Sequence, residues 1–135
     1  MSMASIVSRV NRRIDTQIRK STIELFGSVI KMTPVDTGRA KGNWQCTIGS
    51  AAMSEITRND GSKKDSLSGS IAYEEVIKTV PPAGNVVWLA NNVPYIRKLE
   101  YGSSNQAPGG MVRVSMDRFG AIFAENAAKS LSQIK

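Results

Sequence analysis

The apolar positions of the first third recur with a helical period. Met3, Val7, Val10, Ile14, Ile18, Leu25, Val29 and Met32 fall at steps of three, four or seven, which lays one apolar stripe along a helix. Ile6, Phe26 and Ile30 widen it near the ends, and Arg9, Arg12, Arg13 and Lys20 project mainly from the other side. One long amphipathic helix over 3–32 is predicted. The period then drops to two: Trp44, Cys46 and Ile48 alternate with Gln45 and Thr47, a short half-buried strand. Val86 to Ala90 is an apolar run of strand length between Ala83-Gly84-Asn85 and Asn91-Asn92. Between these, Tyr73, Val76, Ile77 and Val80 suit one face of a short helix over 71–79, with Ser70 as cap and Glu74 and Glu75 near its start. Its β-branched content leaves a strand open, and Pro81-Pro82 ends it either way. Pro94 can open a helical turn in which Tyr95 and Leu99 share a face and Gly102 is the stop. Val112, Met116, Phe119, Phe123, Ala127, Leu131 and Ile134 then form the apolar stripe of a second long helix, from about Met111 to Gln133.

This order predicts one α+β domain over 1–135. A long N-terminal helix (3–32) precedes a strand-rich middle (33–110). That middle holds a small, mainly antiparallel sheet with a short helix. A long C-terminal helix (111–134) packs on the sheet. Residues 50–70 are read as a mobile loop or hairpin tip. Their run Asn59-Asp60-Gly61-Ser62-Lys63-Lys64-Asp65 has no apolar side chain to place in a core. The pivot is 33–44. Thr33 is pushed out of helical geometry by Pro34. Asp36 or Thr37 can turn a side-chain oxygen onto the following backbone, and Gly38 and Gly42 permit a close approach.

Charge and composition narrow the chemistry. The 135 residues carry 18 Lys and Arg against 11 Asp and Glu, a net +7. Residues 1–32 hold six of the cations against Asp15 and Glu24, so this stretch alone contributes +4. Such an excess invites polyanions, either nucleic acid or an acidic protein surface. The single cysteine, Cys46, cannot form an internal disulfide and sits on the apolar side of its strand, as a small core residue. There is no histidine, the commonest general base and metal ligand. The carboxylates Asp36, Glu74, Glu75 and Glu100 fall in no hydrolase or nuclease motif. Neither a Walker spacing nor a dinucleotide glycine pattern is present. No catalytic residue, metal site or cofactor is therefore expected. The cation-interrupted N-terminus lacks the apolar core of a signal peptide, and no segment is long and apolar enough to span a bilayer.

Two motifs stand between the long helices. The first is Thr33-Pro34-Val35-Asp36-Thr37-Gly38-Arg39. The second runs from Tyr95 through Leu99-Glu100-Tyr101-Gly102-Ser103, then Gln106-Ala107-Pro108-Gly109-Gly110-Met111-Val112-Arg113. Their order and spacing resemble the tail-component family of tailed bacteriophages, which holds neck and tail-completion proteins of the head–tail junction and relatives such as the minor tail protein Z of phage lambda. On that pattern Pro34, Asp36, Thr37, Gly38, Arg39, Tyr95, Glu100, Tyr101, Gly102, Pro108 and Arg113 are the matching residues, with roles in turns, caps, an ion pair or a subunit interface. Glu100 is expected to pair with Arg39 or Arg113. The resemblance implies a virion structural subunit, assembled in the host cytoplasm, that forms a homo-oligomeric ring, commonly sixfold, around the DNA channel. It joins tail to head beside other neck, connector and tail-tube proteins, without a membrane. A ring of this kind needs head-to-tail interfaces that close on rotation. Arg9, Arg12, Arg13 and Lys20 are candidates to face packaged DNA or an acidic partner without reading sequence. The alternative is a small basic protein that binds DNA non-specifically through the N-terminal helix.

Overall fold

A computed structural model describes residues 2–81 and 85–132, the side chains of 130 and 131 excepted. The elements are α1 (Met3–Met32), α2 (Arg39–Gly42), β1 (Trp44–Ile48), α3 (Ile71–Thr79), β2 (Val87–Asn91), α4 (Ile96–Glu100) and α5 (Val112–Ser132). The expected turn at Ala83 and Gly84, and the stripe positions Leu131 and Ile134, fall outside what is described. The architecture is α+β: a long N-terminal helix, a two-stranded antiparallel sheet and a long C-terminal helix that packs along α1 and meets the sheet region at its first turn.

Helix α1 starts where Ser2 accepts the Ser5 N–H at 3.1 Å, an N-cap of the usual kind. It stops at Thr33, whose backbone is extended ahead of Pro34. The Thr33 hydroxyl donates to the Val29 carbonyl at 2.8 Å and accepts the Trp44 indole N–H at 2.7 Å. The end of the helix is thereby fastened to the start of the sheet, and the buried indole keeps its hydrogen bond.

In the sheet, Trp44 lies opposite Asn91, Cys46 opposite Leu89 and Ile48 opposite Val87. A two-stranded ribbon is marginal alone, and here the outer edge of β1 is closed by side chains. Glu75 accepts the Cys46 N–H at 2.8 Å. Arg58 donates to the carbonyls of Trp44 (2.8 Å) and Gly42 (2.6 Å) and pairs with Glu75 at 2.6 Å. Helix α3 packs on β1 and α1. It begins at Ser70, whose hydroxyl accepts the Tyr73 N–H, so the helix and not the strand forms over 71–79. Its Ala72 and Val76 join Val29, Ile30, Trp44, Cys46 and Met111 in the core.

Helices α1 and α5 meet along a seam of small and polar side chains. Ser28 bonds Ser115 at 2.8 Å, the Asn126 amide donates to the Ser21 hydroxyl at 3.2 Å, and the Gln17 amide donates to the Phe123 carbonyl at 3.3 Å. Residue 28 against 115 and 21 against 126 make the pair antiparallel. The expected α5 stripe is therefore not the buried face. Met111, Ser115 and Asn126 are buried, whereas Val112, Met116 and Phe123 are exposed. In α1, likewise, the stripe is buried around Val29 and Ile30 but exposed at Met3, Val7 and Ile14. Periodicity reports where apolar residues align, and the neighbouring helix here covers a more polar side.

Candidate functional site

The first motif turns sharply and is braced from residues 58–72. Gly38 has φ of 84°, open to glycine at no steric cost, and a Cβ there would collide with the Asp60 carbonyl. The Gly38 carbonyl accepts both the Gly42 N–H (2.8 Å) and the Asp60 N–H (2.9 Å). Thr37, rather than Asp36, makes the local turn, its hydroxyl accepting the Arg39 N–H at 3.3 Å. Pro34 is buried, and Asp36, Thr37 and Arg39 are exposed.

The second motif is a capping device. Helix α4 ends with Ser103 N–H on the Lys98 carbonyl and Gly102 N–H on that of Leu99, with φ of 88° at Gly102, the paired bonds of a Schellman stop. Pro108, itself exposed, sets its carbonyl against Gly102. Glu100 then reaches the start of α5. Its carboxylate accepts the backbone N–H groups of Met111 (3.0 Å), Val112 (2.7 Å) and Arg113 (3.0 Å), plus the Arg113 Nε at 3.1 Å. Arg113 also donates to the Glu100 carbonyl at 2.5 Å and lies 4.8 Å from the centre of the exposed Tyr101 ring. A carboxylate over otherwise unpaired helix donors meets the positive end of the helix dipole. Burial alone would raise the Glu100 pKa, but the three backbone N–H groups and Arg113 outweigh it and hold the group below the usual carboxylate range.

Of the two expected partners, Glu100 takes Arg113. Arg39 is engaged elsewhere, in a two-pronged pair with Glu55 at 2.5 and 2.8 Å and 5.5 Å from the Tyr95 ring centre. The two motifs nonetheless meet, through Gln106, which stands in the second motif but was given no role there. The Gln106 amide accepts the Val35 N–H at 2.8 Å and donates to the Val35 carbonyl at 3.1 Å. Pro34 to Arg39 from one motif and Tyr95, Leu99 and Gln106 from the other, with Ala40 and Ser104 beside them, line one open cleft of about 230 Å³. Glu100, Tyr101 and Arg113 stand outside it.

Two buried ionisable groups were missed by sequence reasoning. Asp60, 2% exposed, accepts the Ser62 N–H (2.9 Å), the Ser62 hydroxyl, the Ser70 hydroxyl (2.6 Å) and the Ala72 N–H (3.2 Å). Burial would raise its pKa, yet the Ser62 and Ser70 bonds and the two backbone N–H groups lower it overall. Lys41, fully buried, donates to the carbonyls of Lys63 and Ser66, both at 2.7 Å. Burial lowers its pKa, in part offset by Asp60 and Asp65. The polar loop is thus tied down by two charged pins rather than by apolar packing. The Asp60-Gly61-Ser62 turn was the available signal for the first pin. The second had none, since lysine is among the residues least often buried.

The remaining sites are simpler. Arg9, Arg12 and Arg13 line a shallow surface cleft of about 320 Å³ with Thr16, and Lys20 does not join them. Arg19 caps α3 instead, donating to the Ile77 and Val80 carbonyls at 3.1 and 3.0 Å. Cys46 is buried, and burial with the nearby Glu75 carboxylate pushes its pKa up to about 11, the opposite of a reactive thiol. Among the carboxylates considered for chemistry, Glu75 and Glu100 are committed to structural bonds and Asp36 and Glu74 are exposed. Among the described residues, no group of three or more acidic or cysteine side chains could hold a metal, and no helix is long and apolar enough to cross a membrane. No family model, curated protein or solved structure matches the chain.

Proposed function

We propose that the protein is a structural subunit of a phage head–tail junction, a neck or tail-completion component of the virion that assembles as a ring around the DNA channel and joins tail to head. The observation that carries this reading is the meeting of the two motif segments. They are about sixty residues apart in sequence, yet Gln106 grips the backbone of Val35, Arg39 lies over Tyr95, and both segments line one cleft. Of the residues that resemble the tail-component pattern, Pro34, Asp36, Thr37, Gly38, Arg39 and Tyr95 share that cleft, and Glu100 with Arg113 forms a separate cap beside it. They also do architectural work: Gly38 and Gly102 shape turns, and Glu100 with Arg113 caps a helix. This suits an assembly part, with no cofactor, better than a catalyst. Neighbouring connector and tail-tube proteins would meet the ring on its two faces.

A second reading, a small non-specific DNA-binding protein, draws on the cluster of Arg9, Arg12 and Arg13 on one face of α1. Phosphate contacts of this kind weaken steeply with salt. Light scattering at low and high salt, with and without duplex DNA, separates the two. A closed oligomer whose mass is unchanged by DNA fits the junction subunit. A monomer that binds duplex tightly at high salt overturns it in favour of the second reading.

A further inference from the structure

Two apolar stripes share one spacing, and each is exposed at three of its four positions, with Val10 and Phe119 half-buried. On α1, Met3, Val7, Val10 and Ile14 step by four, three and four. On α5, Val112, Met116, Phe119 and Phe123 step by four, three and four again. Each spans twelve residues, eleven steps or about 16 Å of helix. Exposure is 75%, 49% and 43% at Met3, Val7 and Ile14, and 38%, 54% and 40% at Val112, Met116 and Phe123. That spacing is the seam by which two helices interlock side by side. Apolar rows of this length left in water mark interaction surfaces.

The α1 stripe also continues an interface already present. Gln17, Ser21 and Ser28 lie on the same side of α1 as Val10 and Ile14, and α5 of the same chain covers that side from Gln17 onward. Toward the N-terminus the side turns from polar to apolar, and Met3, Val7 and Ile14 stay exposed in this overhang beyond Gln17, which bonds α5. We infer that this N-terminal overhang docks on the exposed α5 stripe of a second copy of the chain. The occupant is a copy of this chain because the chain carries both halves: equal lengths, equal spacing, and a helix partner of the same identity already seated next to the overhang. Unlike halves can close reciprocally as a two-fold pair or continue head-to-tail, and the ring of the junction reading selects the second, in which repeated contacts close on rotation. The inference rests on the junction reading and gives it a subunit interface.

The experiment uses Val7→Glu and Met116→Glu in the full chain, with light scattering for mass and circular dichroism for helix content. Both positions are exposed, so helix content should match the wild type. Each variant alone should fall to monomer. Mixed in equal amounts, they should form a dimer and stop there, because only one intact overhang and one intact stripe remain. The unsubstituted chain separates the two symmetries: a head-to-tail contact gives a mass above that of a dimer, and a two-fold one stops at a dimer. Cysteines placed at Val7 and Met116 on a Cys46→Ser background should cross-link between chains on mild oxidation. A wild-type oligomer that survives both glutamates overturns the interface and leaves the junction reading standing. A wild type that is monomeric at every attainable concentration overturns both.

Discussion

The loop around Asp60 and the stripes on α1 and α5 are opposite kinds of region. Around Asp60 the side chains are polar, and every bond they need is made inside one chain. Ser62, Ser70 and Ala72 serve the carboxylate, while Lys41 holds two carbonyls a few residues on. Along the stripes the side chains are apolar, and three of the four in each stay in water. A buried polar network stabilises only when it is complete, because each unmet donor costs more than each made bond gains. An apolar face has no such requirement and can wait for a neighbour. The loop is therefore finished by folding, and the stripes are left for assembly. Substitutions should split along that line: the loop should govern stability, the stripes association.

The largest stability loss is expected for Asp60→Ala. It strands the Ser62 and Ala72 N–H groups and two hydroxyls, and removes a counter-charge from buried Lys41. A loss of roughly 3–5 kcal/mol follows. Urea unfolding on the Met116→Glu background reads it, since there assembly adds nothing to apparent stability. A loss no larger than that of a surface substitution would mean the loop is not held by this carboxylate. Lys41→Met keeps the length of the side chain and removes the ammonium. It leaves the Lys63 and Ser66 carbonyls without their donor, at about 2 kcal/mol.

These pins mark what could not be read from the sequence. Helical and strand periods placed α1, β1, α3, β2 and α5 close to where they lie, because each contains a run long enough for its period to show. The caps at Ser70 and Gly102 were legible because they act within four residues. The polar loop was not, since its anchors bond partners distant in sequence and a periodic signal carries no information about a buried lysine. The pairing of Glu100 with Arg113 was one of two expected from the sequence, whereas the Arg39–Glu55 pair was not, because no local pattern distinguishes Glu55 from a solvent-facing side chain. The α5 stripe adds a different lesson. Its apolar row was legible, but which face of α5 a neighbour covers was not, because the seam with α1 is made by Ser115 and Asn126.

Glu100→Gln comes next. The amide keeps one acceptor oxygen over the α5 N–H groups but loses the charge that meets Arg113 and the helix dipole, costing about 1 kcal/mol. Its signature is in pH. The folded protein holds Glu100 and Asp60 below their ordinary pKa values. On acidification the unfolded chain therefore takes up protons first, and the native state loses ground. Stability from these groups is fully present at neutral pH. It declines as pH drops below about 4 and is gone once the lowered native values are passed. The acid limb of a stability–pH curve should be shallower in Glu100→Gln than in the unsubstituted chain. Equal slopes would mean that the cap contributes nothing through its charge.

The smallest stability change belongs to the stripes. Val7→Ser and Met116→Ser, in conditions where the chain is monomeric, should each shift the unfolding free energy by no more than ~0.5 kcal/mol, as for surface positions without a buried partner. Both should nonetheless weaken self-association, read as a higher concentration for oligomer formation by light scattering. A stability loss of several kcal/mol at Met116 would put that side chain inside the monomer's own packing, and the contrast between a finished loop and a waiting stripe would fail at its second term. A loss of association with stability intact is the outcome that only an intermolecular seam produces, because the same side chain then contributes nothing until a second chain covers it.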